Sequence, residues 1–429
     1  MKRFLSFLLF LVFAQDWACQ YRYHLGAPLA WVYDYLLEPL PIKLRLFDVL
    51  QLAIFIAASL KRDGRGPDIA PMKNALLLML GTTVFFFAYG LFRGGDFRHA
   101  SWQTYLILSS ILLAFTVAAT FRTAADYCGL ARWIMAAAAY RGVMCWISYF
   151  TWGRSTLGGS GAYLTTHGDT IGWVVAIMVL VVNTLDKRSA VVTVRNAALI
   201  LFFLGAIQFN SRRLAWVSLA MGLAVMYLLF PQGSVKRRIN RVLRLAAPVL
   251  LLYVVVGWGR QSSIFLPLRS FATVSTQEDA STLARNAENL GLIATANANG
   301  LGFGSGWGRP YICLTTKYNI ASEFELWQYV PHNSILGLLA FTGIVGSAAF
   351  WIVVVTAVFL SARVARLATD SMSKNVAVIG AAQIVVCANQ LYGDMGMFFL
   401  EPMYVLSISY AIALRLPRVS GVWQTPSKR

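Results

Sequence analysis

The sequence predicts an all-α protein that crosses a membrane about twelve times and carries one long helical loop outside the bilayer. Hydrophobic residues make up 58% of the 429-residue chain and charged residues only 13%, and the mean hydropathy is +0.61. Soluble domains usually contain about 25% charged residues. Apolar stretches recur along the whole chain and are separated by short basic segments, which is typical of membrane helices joined by loops. Residues 1–429 are therefore interpreted as a single transmembrane domain.

The first predicted span follows the basic residues Lys2 and Arg3 and begins with the apolar run Phe4–Ala14. A signal peptide has the same pattern, but no small-x-small cleavage site follows, so we expect an uncleaved span that continues to Leu37. Eleven further stretches have the hydropathy expected of spans. They are Leu44–Leu60, Asn74–Phe92, Trp102–Phe121, Trp133–Phe150, Thr170–Leu185, Val191–Ile207, Leu214–Phe230, Leu245–Trp258, Ser334–Leu360, Val376–Met395 and Met403–Leu414.

The basic residues predict the orientation of these spans. With both termini in the cytoplasm, most Lys and Arg fall in short inside loops such as Lys61–Lys73 and Lys236–Arg244, in agreement with the positive-inside rule. The lysines outside this inside set are Lys43 and Lys317, so the outer face carries its positive charge mainly on arginine. The forked guanidinium group of arginine matches phosphate and carboxylate oxygens. The outer face is therefore predicted to bind an anion.

Charge and cysteine content exclude several other classes. The net charge of +19 is compatible with nucleic-acid binding, but the basic residues are scattered between apolar spans instead of forming a stripe, so no nucleic-acid partner is expected. The five cysteines show no CxxC spacing that would indicate a metal site or a disulfide framework. A disulfide between Cys19 and Cys313 stays open because both are predicted to lie outside. The outer face carries no cluster of aspartates, and we expect neither a metal nor another cofactor.

The longest polar segment is the predicted outer loop 259–332, which we expect to rest on the membrane as short helices. A helix is predicted over Asp279–Asn297, with Leu283, Ala287, Leu290 and Ala294 on one face and Arg285 in its second turn. Asn299 and Gly300 follow as a stop signal. A second short helix is predicted to begin at the capping-box pattern of Ser322 and Glu325 and to end before Pro331.

Four features of this outer face are candidates for function. His332 lies where the span from Ser334 begins, so its ring is predicted at the boundary between water and lipid, where a capping or interfacial role is the alternative. Arg212 and Arg213 lie in a very short turn between two spans, and such a pair needs an anionic partner or contacts lipid head groups. The Gly300–Gly306 stretch lacks the lysine and the strand of a nucleotide loop and is interpreted as a tight turn. Asp394 is expected to pair with an arginine.

Residues Thr193–Phe350 together resemble the O-antigen ligase and O-antigen (exopolysaccharide) polymerase superfamily of bacterial inner-membrane glycosyltransferases. The resemblance depends on three motifs, and the last is the most specific. The motifs are Ser211-Arg212 at a span junction, Arg285 leading into Gly302-Phe303-Gly304, and Pro331-His332-Asn333-Ser334 followed by Leu336, Leu339, Gly343 and Gly346.

The resemblance implies a multi-pass protein of the bacterial inner membrane with its active site facing the periplasm. Its donor would be a glycan on undecaprenyl pyrophosphate, and its acceptor a glycan or the lipid A core. It also implies that Arg212 and Arg285 hold the pyrophosphate and that His332 acts on the acceptor hydroxyl, as an inverting, metal-independent transfer requires. Arg213 replaces the small or apolar residue that often follows the Ser-Arg pair, and we expect it to bind substrate.

Two questions stay open at the level of sequence. The resemblance does not distinguish a ligase of lipopolysaccharide biosynthesis from a polymerase of O-antigen, capsule or exopolysaccharide, or from an enzyme that glycosylates protein. A transporter or flippase for a lipid-linked anionic sugar would also place arginines in a membrane cavity. Such a transporter needs charges near the bilayer midplane, and Arg141 is the only clear mid-span charge in the sequence.

Overall fold

A computed structural model describes residues 1–15, 45–61, 69–153, 164–186, 189–260, 262–265, 267–268, 280–315 and 326–423. Within these ranges the chain forms helices and connecting turns and contains no β-strand. A chain of this apolar composition favours helices because each helix satisfies its own backbone hydrogen bonds without water. Ser322, Glu325 and Cys19, which carry the predicted capping box and one half of the open disulfide, lie outside the described residues.

Thirteen α-helices form in the described part of the chain, and a π-helical turn at Tyr149–Gly153 extends the fifth. The helices are α1 Lys2–Ala14, α2 Leu46–Leu60, α3 Ala70–Phe92, α4 Phe97–Thr120, α5 Ala124–Ser148, α6 His167–Asp186, α7 Ala190–Phe209, α8 Arg213–Leu229, α9 Ser234–Gly257, α10 Ala280–Asn299, α11 Ser334–Leu367, α12 Ser371–Gly393 and α13 Leu400–Val419.

Seven helices among the described residues are long and apolar enough to cross a membrane. They are α3, α4, α6, α7, α9, α11 and α12, while α2 and α8 are apolar but shorter. A helix overlaps each of the twelve predicted segments, and for the first segment the described helix α1 covers the run from Phe4 to Ala14. The all-α fold is therefore confirmed for the described residues, whereas the count of twelve spans stays a prediction.

The bundle is centred on α11, α12 and α13. Helix α12 packs against α8, α11 and α13, and α13 also packs along α4. Helix α13 is buried along nearly its whole length, from Leu400 to Pro417. Helix α9 lies at the periphery with exposed apolar residues. The core therefore comes mainly from helices near the C-terminus and from α4.

Contacts between helix ends show which of them lie together at each end of the bundle. At one end, Lys2 at the start of α1 pairs with Asp126 at the start of α5, and Ile69 before α3 bonds to Leu414 near the end of α13. The other end carries Asn210 after α7, Tyr329 and His332 before α11, and Met395 after α12. We call the second the site end. The contacts follow the alternation of the predicted spans, and the compartment that each end faces stays a prediction.

Helix α11 begins at Ser334, as predicted, but it is longer than predicted and is broken at Gly343. The backbone of Gly343 has φ 59° and ψ −164°, a conformation that is essentially restricted to glycine. The break receives the loop after α10, because Ile344 N–H donates to Leu301 O and Val345 N–H donates to Gly302 O. A side chain on Gly343 would meet Gly302 O at 2.3 Å. The glycine-rich stretch is thus packed against α11 as a tight turn.

Helix α10 covers the predicted segment and ends at Asn299, before Gly300 with φ 86°. Its packed face carries Leu292 and Ala296. On the predicted apolar face, Leu283 and Leu290 are exposed, at 39% and 59%, and Ala287 and Ala294 are half-buried. The helix is held in place by Thr295, whose Oγ1 accepts a hydrogen bond from Ile312 N–H at 2.7 Å. The position of α10 is therefore set by its less apolar face, which also points Glu288 towards the site end.

Candidate functional site

The turn between α7 and α8 places Arg212 at the site end. Ser211 has a positive φ of 53°, and Asn210, which is completely buried, holds the turn in place. Asn210 Oδ1 accepts a hydrogen bond from Thr165 N–H at 3.0 Å, and its Nδ2 donates to Thr166 O at 3.3 Å. The arginine turn is thereby fixed against the segment that leads into α6.

The side chains of the two neighbouring arginines differ in burial. Arg212 is only 8% exposed and interacts electrostatically with the ring of His167. Arg213, the first residue of α8, is exposed. The sequence alone does not distinguish these two adjacent arginines. In the structure, Arg212 is the one that is buried and interacts with His167.

His167, the first residue of α6, joins the site to the end of α12. Its Nδ1 is hydrogen-bonded to Oδ2 of Asp394, the C-cap residue of α12, and its ring stacks on Phe399 with centroids 5.3 Å apart. Asp394 is buried, and its Oδ2 also accepts a hydrogen bond from Gln390 Nε2 at 3.4 Å. The Asp394 carboxylate is therefore fixed by groups from two helices.

The start of α6 is positioned by a buried ion pair between Arg141 and Asp169. Arg141 Nε and one terminal nitrogen contact the two Asp169 oxygens at 2.8 Å each, in a forked arrangement. Asp169 Oδ2 also accepts hydrogen bonds from the backbone N–H and the hydroxyl of Thr166. The mid-span charge noted in the sequence is thus paired with an acid two residues after His167, and it supports that end of the helix.

Arg285 reaches the same place from α10. One of its terminal nitrogens lies 3.9 Å from Asp394 Oδ1, and 40% of its side chain is exposed. The expected pairing of Asp394 with an arginine is therefore present as a long contact. The contact between Asp394 and His167 is shorter. Arg285, like Arg212, interacts electrostatically with His167.

His332 lies just before α11 and is held by Glu288 of α10. The ring Nδ1 of His332 is 2.9 Å from Glu288 Oε2, and the backbone N–H of His332 donates to Glu288 Oε1 at 2.6 Å. The carbonyl of His332 accepts a hydrogen bond from Met395 N–H at 2.6 Å. Asn333 caps α11 by accepting a hydrogen bond from Leu336 N–H. The backbone around His332 is therefore fixed by α10 and by the connector between α12 and α13.

Tyr311 lies in the loop beyond α10 and is affected by the same carboxylate. Burial raises the pKa of its phenol, and the nearby charge of Glu288 raises this pKa further. The Tyr311 hydroxyl therefore stays protonated and neutral across the physiological pH range, so that it adds no negative charge beside Glu288.

The structure brings Arg212, Arg285 and His332 to the same end of the bundle. Arg285 and His332 adjoin Asp394 and Met395, and the turn of Arg212 is held against the residues that precede His167. Glu288 was missed from the sequence, although its position three residues after Arg285 places both on one face of a helix. His167 was not among the candidates singled out from the sequence. Its pairing with Asp394 joins residues 227 positions apart, and no local pattern signals such a contact.

These observations define a class of protein. The described residues form a helical protein with seven helices able to cross a membrane by length and composition, and a cluster of arginines and of histidines paired with acids lies at one end of its bundle. The chain matches no protein-family model and no curated protein sequence.

Proposed function

We propose that this protein is a membrane glycosyltransferase that moves a glycan from undecaprenyl pyrophosphate to an acceptor hydroxyl. The single observation that carries the proposal is the convergence of Arg212, Arg285 and His332 around the His167–Asp394 pair. Arg285 lies 3.9 Å from Asp394 Oδ1, His332 O accepts a hydrogen bond from Met395 N–H, and the turn that carries Arg212 is held by Asn210 against the segment just before His167. Positive charge and imidazole are the two chemical requirements of such a transfer, since one stabilises a departing pyrophosphate and the other activates a hydroxyl.

The donor half of the site consists of Arg212 and Arg285. Guanidinium groups bind phosphate oxygens through charge-assisted, often bidentate hydrogen bonds. Arg285 is accessible, with 40% of its side chain exposed, and it extends from a helix outside the main bundle core. Arg212 provides positive charge from a buried side chain in the turn after α7. A pyrophosphate lying at the site end would receive charge from both, while its lipid chain extends along the apolar helices.

The acceptor half consists of His332, whose side chain is 30% exposed. In the proposed reaction the acceptor oxygen attacks the anomeric carbon from the face opposite the pyrophosphate, and the anomeric configuration inverts. The bond between that carbon and the pyrophosphate oxygen breaks, and its electron pair leaves with undecaprenyl pyrophosphate. The hydroxyl proton passes to the imidazole nitrogen of His332 that does not contact Glu288. No oxidation or reduction takes place in this transfer.

The transporter alternative has less support from the described residues. A transporter site needs charged groups near the midplane that contact the substrate. Arg141 instead forms a forked, almost completely buried pair with Asp169, in the first turn of α6 at the site end. The charged side chains that converge do so at one end of the bundle. This location suits a reaction at the membrane surface.

The test is a transfer assay with purified protein in lipid nanodiscs. The donor is an undecaprenyl pyrophosphate glycan, the acceptors are lipid A core and a second copy of the donor, and the readouts are the glycosylated product and released undecaprenyl pyrophosphate. A ligase modifies lipid A core, whereas a polymerase lengthens the lipid-linked glycan. His332→Gln is expected to lower turnover about a hundredfold or more while donor binding stays close to that of the unsubstituted protein. Movement of intact donor across liposomes without bond cleavage would instead identify a transporter.

A further inference from the structure

Glu288 makes an unusually complete set of contacts for an acid on a peripheral helix. Its Oε2 lies 2.9 Å from His332 Nδ1, and its Oε1 accepts hydrogen bonds from His332 N–H at 2.6 Å and from Asn333 N–H at 3.4 Å. Its side chain is only 10% exposed. The carboxylate thus binds both the ring and the backbone of His332.

These contacts determine which nitrogen of the His332 ring carries the proton. An ionised carboxylate only accepts hydrogen bonds, so Nδ1 must be the donor in the contact with Glu288. In neutral imidazole the other nitrogen, Nε2, then carries the lone pair. A ring with the opposite tautomer would place two lone pairs against each other across 2.9 Å.

We propose that Glu288 is the positioning residue of His332, selecting the tautomer with its proton on Nδ1 and directing Nε2 towards the acceptor hydroxyl. The proposal rests on the function proposed above, in which Nε2 accepts the proton of that hydroxyl. Oriented histidines of this kind generally depend on a partner at the second ring nitrogen. Glu288 does not contact the reacting atoms in this scheme and acts through His332.

The same helix carries Arg285 three residues earlier, so α10 contributes one residue to each half of the site. Docking of α10 does not depend on Glu288 alone, since Thr295 accepts a hydrogen bond from Ile312 N–H and Gly291 packs directly against Ile312 O. Leu292 and Ala296 are buried on the same helix. Substitution of Glu288 is therefore expected to leave the helix in place.

Glu288→Gln separates the positioning role from a packing role. The amide oxygen can still accept the backbone hydrogen bonds of His332 and Asn333, while the amide NH₂ lies against Nδ1 and can only donate. Nδ1 must then accept, and the proton moves to Nε2. The substituted protein is expected to keep its fold and its donor affinity but to hold His332 in a tautomer that cannot act as a base.

The experiment combines ¹⁵N NMR of histidine-labelled protein with turnover and donor-binding measurements on Glu288→Gln. The His332 resonances are assigned with His332→Gln, and Asp186→Asn, an exposed acid of α6 at the opposite end, is the matched control. We expect a protonated Nδ1 in the unsubstituted protein, a protonated Nε2 in Glu288→Gln, turnover lowered at least about a hundredfold, and unchanged donor affinity. The control is expected to match the unsubstituted protein in all three.

The proposal is overturned by a protonated Nε2 in the unsubstituted protein or by normal turnover in Glu288→Gln. Loss of donor binding together with turnover also contradicts it, because it indicates a packing role. Failure of the proposed function is distinguishable, since the NMR signature does not depend on turnover. A tautomer that changes as expected in a protein that transfers no glycan would support the positioning role and reject the transfer reaction.

Discussion

His167 and Asp394 are hydrogen-bonded through the ring Nδ1 and the carboxylate Oδ2, although 227 positions separate them in the chain. The contact joins the start of α6 to the end of α12. The residue after Asp394, Met395, bonds to the carbonyl of His332, so the His167–Asp394 pair lies next to the second pair, His332 with Glu288. The first pair joins two helices of the bundle, and the second connects the bundle to helix α10.

The first prediction concerns the arginines. Arg212→Ala and Arg285→Ala are each expected to weaken binding of undecaprenyl pyrophosphate by about 10- to 100-fold, because each removes charge-assisted hydrogen bonds of about 1.5–3 kcal/mol. Lysine substitutions are expected to restore binding poorly, since an ammonium group lacks the forked geometry. Binding is measured by titration in nanodiscs.

Two further arginine variants serve as comparisons. Arg195→Ala changes an exposed arginine of α7 at the opposite end of the bundle and is expected to leave binding unchanged. Arg213→Ala changes the exposed neighbour of Arg212 and is expected to have a smaller effect than Arg212→Ala. Equal losses at Arg212 and Arg195 would show that the effect is general and not a property of the site.

Orientation can be tested with a native cysteine. Cys313 is exposed at the site end, whereas Cys145 and Cys387 are buried and Cys128 is half-buried. In a Cys19→Ser background, an impermeant thiol reagent applied from the periplasmic side is expected to label Cys313. Arg241→Cys combined with Cys313→Ser is expected to resist the same reagent. This position belongs to the Lys236–Arg244 segment predicted to lie inside, which the structure shows as the first part of helix α9 and not as a loop. Labelling of both variants from one side would reject the topology.

Metal independence is expected of the transfer reaction. The site carboxylates are engaged by histidines, Asp394 by His167 and Glu288 by His332. In the proposed reaction arginine provides the positive charge that a divalent ion provides in many pyrophosphate-sugar transferases. Activity of the purified protein should therefore survive excess chelator in the transfer assay. A loss that added magnesium restores would contradict this role of the arginines.

Gly343→Ala is expected to lower the free energy of unfolding by about 1–3 kcal/mol, since the backbone there adopts a conformation restricted to glycine. The added methyl group would also meet Gly302 O at 2.3 Å. Gly81→Ala in α3 is the matched control, because nothing lies within 4 Å of its added carbon. The control should be neutral or stabilising by up to about 1 kcal/mol. Thermal unfolding in detergent measures both, and equal behaviour would contradict the packed break.

The Arg141–Asp169 pair is expected to matter for stability. Arg141→Met or Asp169→Leu alone leaves a buried charge without its partner, which typically destabilises by about 3–5 kcal/mol. The double substitution removes both charges and should recover much of that loss. Unfolding of the four proteins forms a double-mutant cycle. Additive losses in that cycle would mean that the two side chains do not stabilise each other.

The sequence by itself determined the helical class, the position of most helices and the start of α11 at Ser334. Apolar runs bounded by basic or glycine-containing segments depend only on local composition, so they can be recognised without knowing which helices pack together. The sequence also singled out Arg212, Arg285 and His332 as candidates, through residue type at span boundaries and through resemblance. Their roles stay proposals.

Only the tertiary structure decided which side chains meet. The partners of His332 and His167 are Glu288 and Asp394, and both contacts join distant segments whose pairing depends on how helices pack. Likewise, Arg212 is buried and Arg213 exposed because the turn at Ser211 has a positive φ and is held by Asn210. Helix α10 shows the same limit, since the two leucines of its predicted apolar face are exposed while its packed side carries Glu288. Local pattern encodes a helix and its faces, but packing geometry chooses the face that is used.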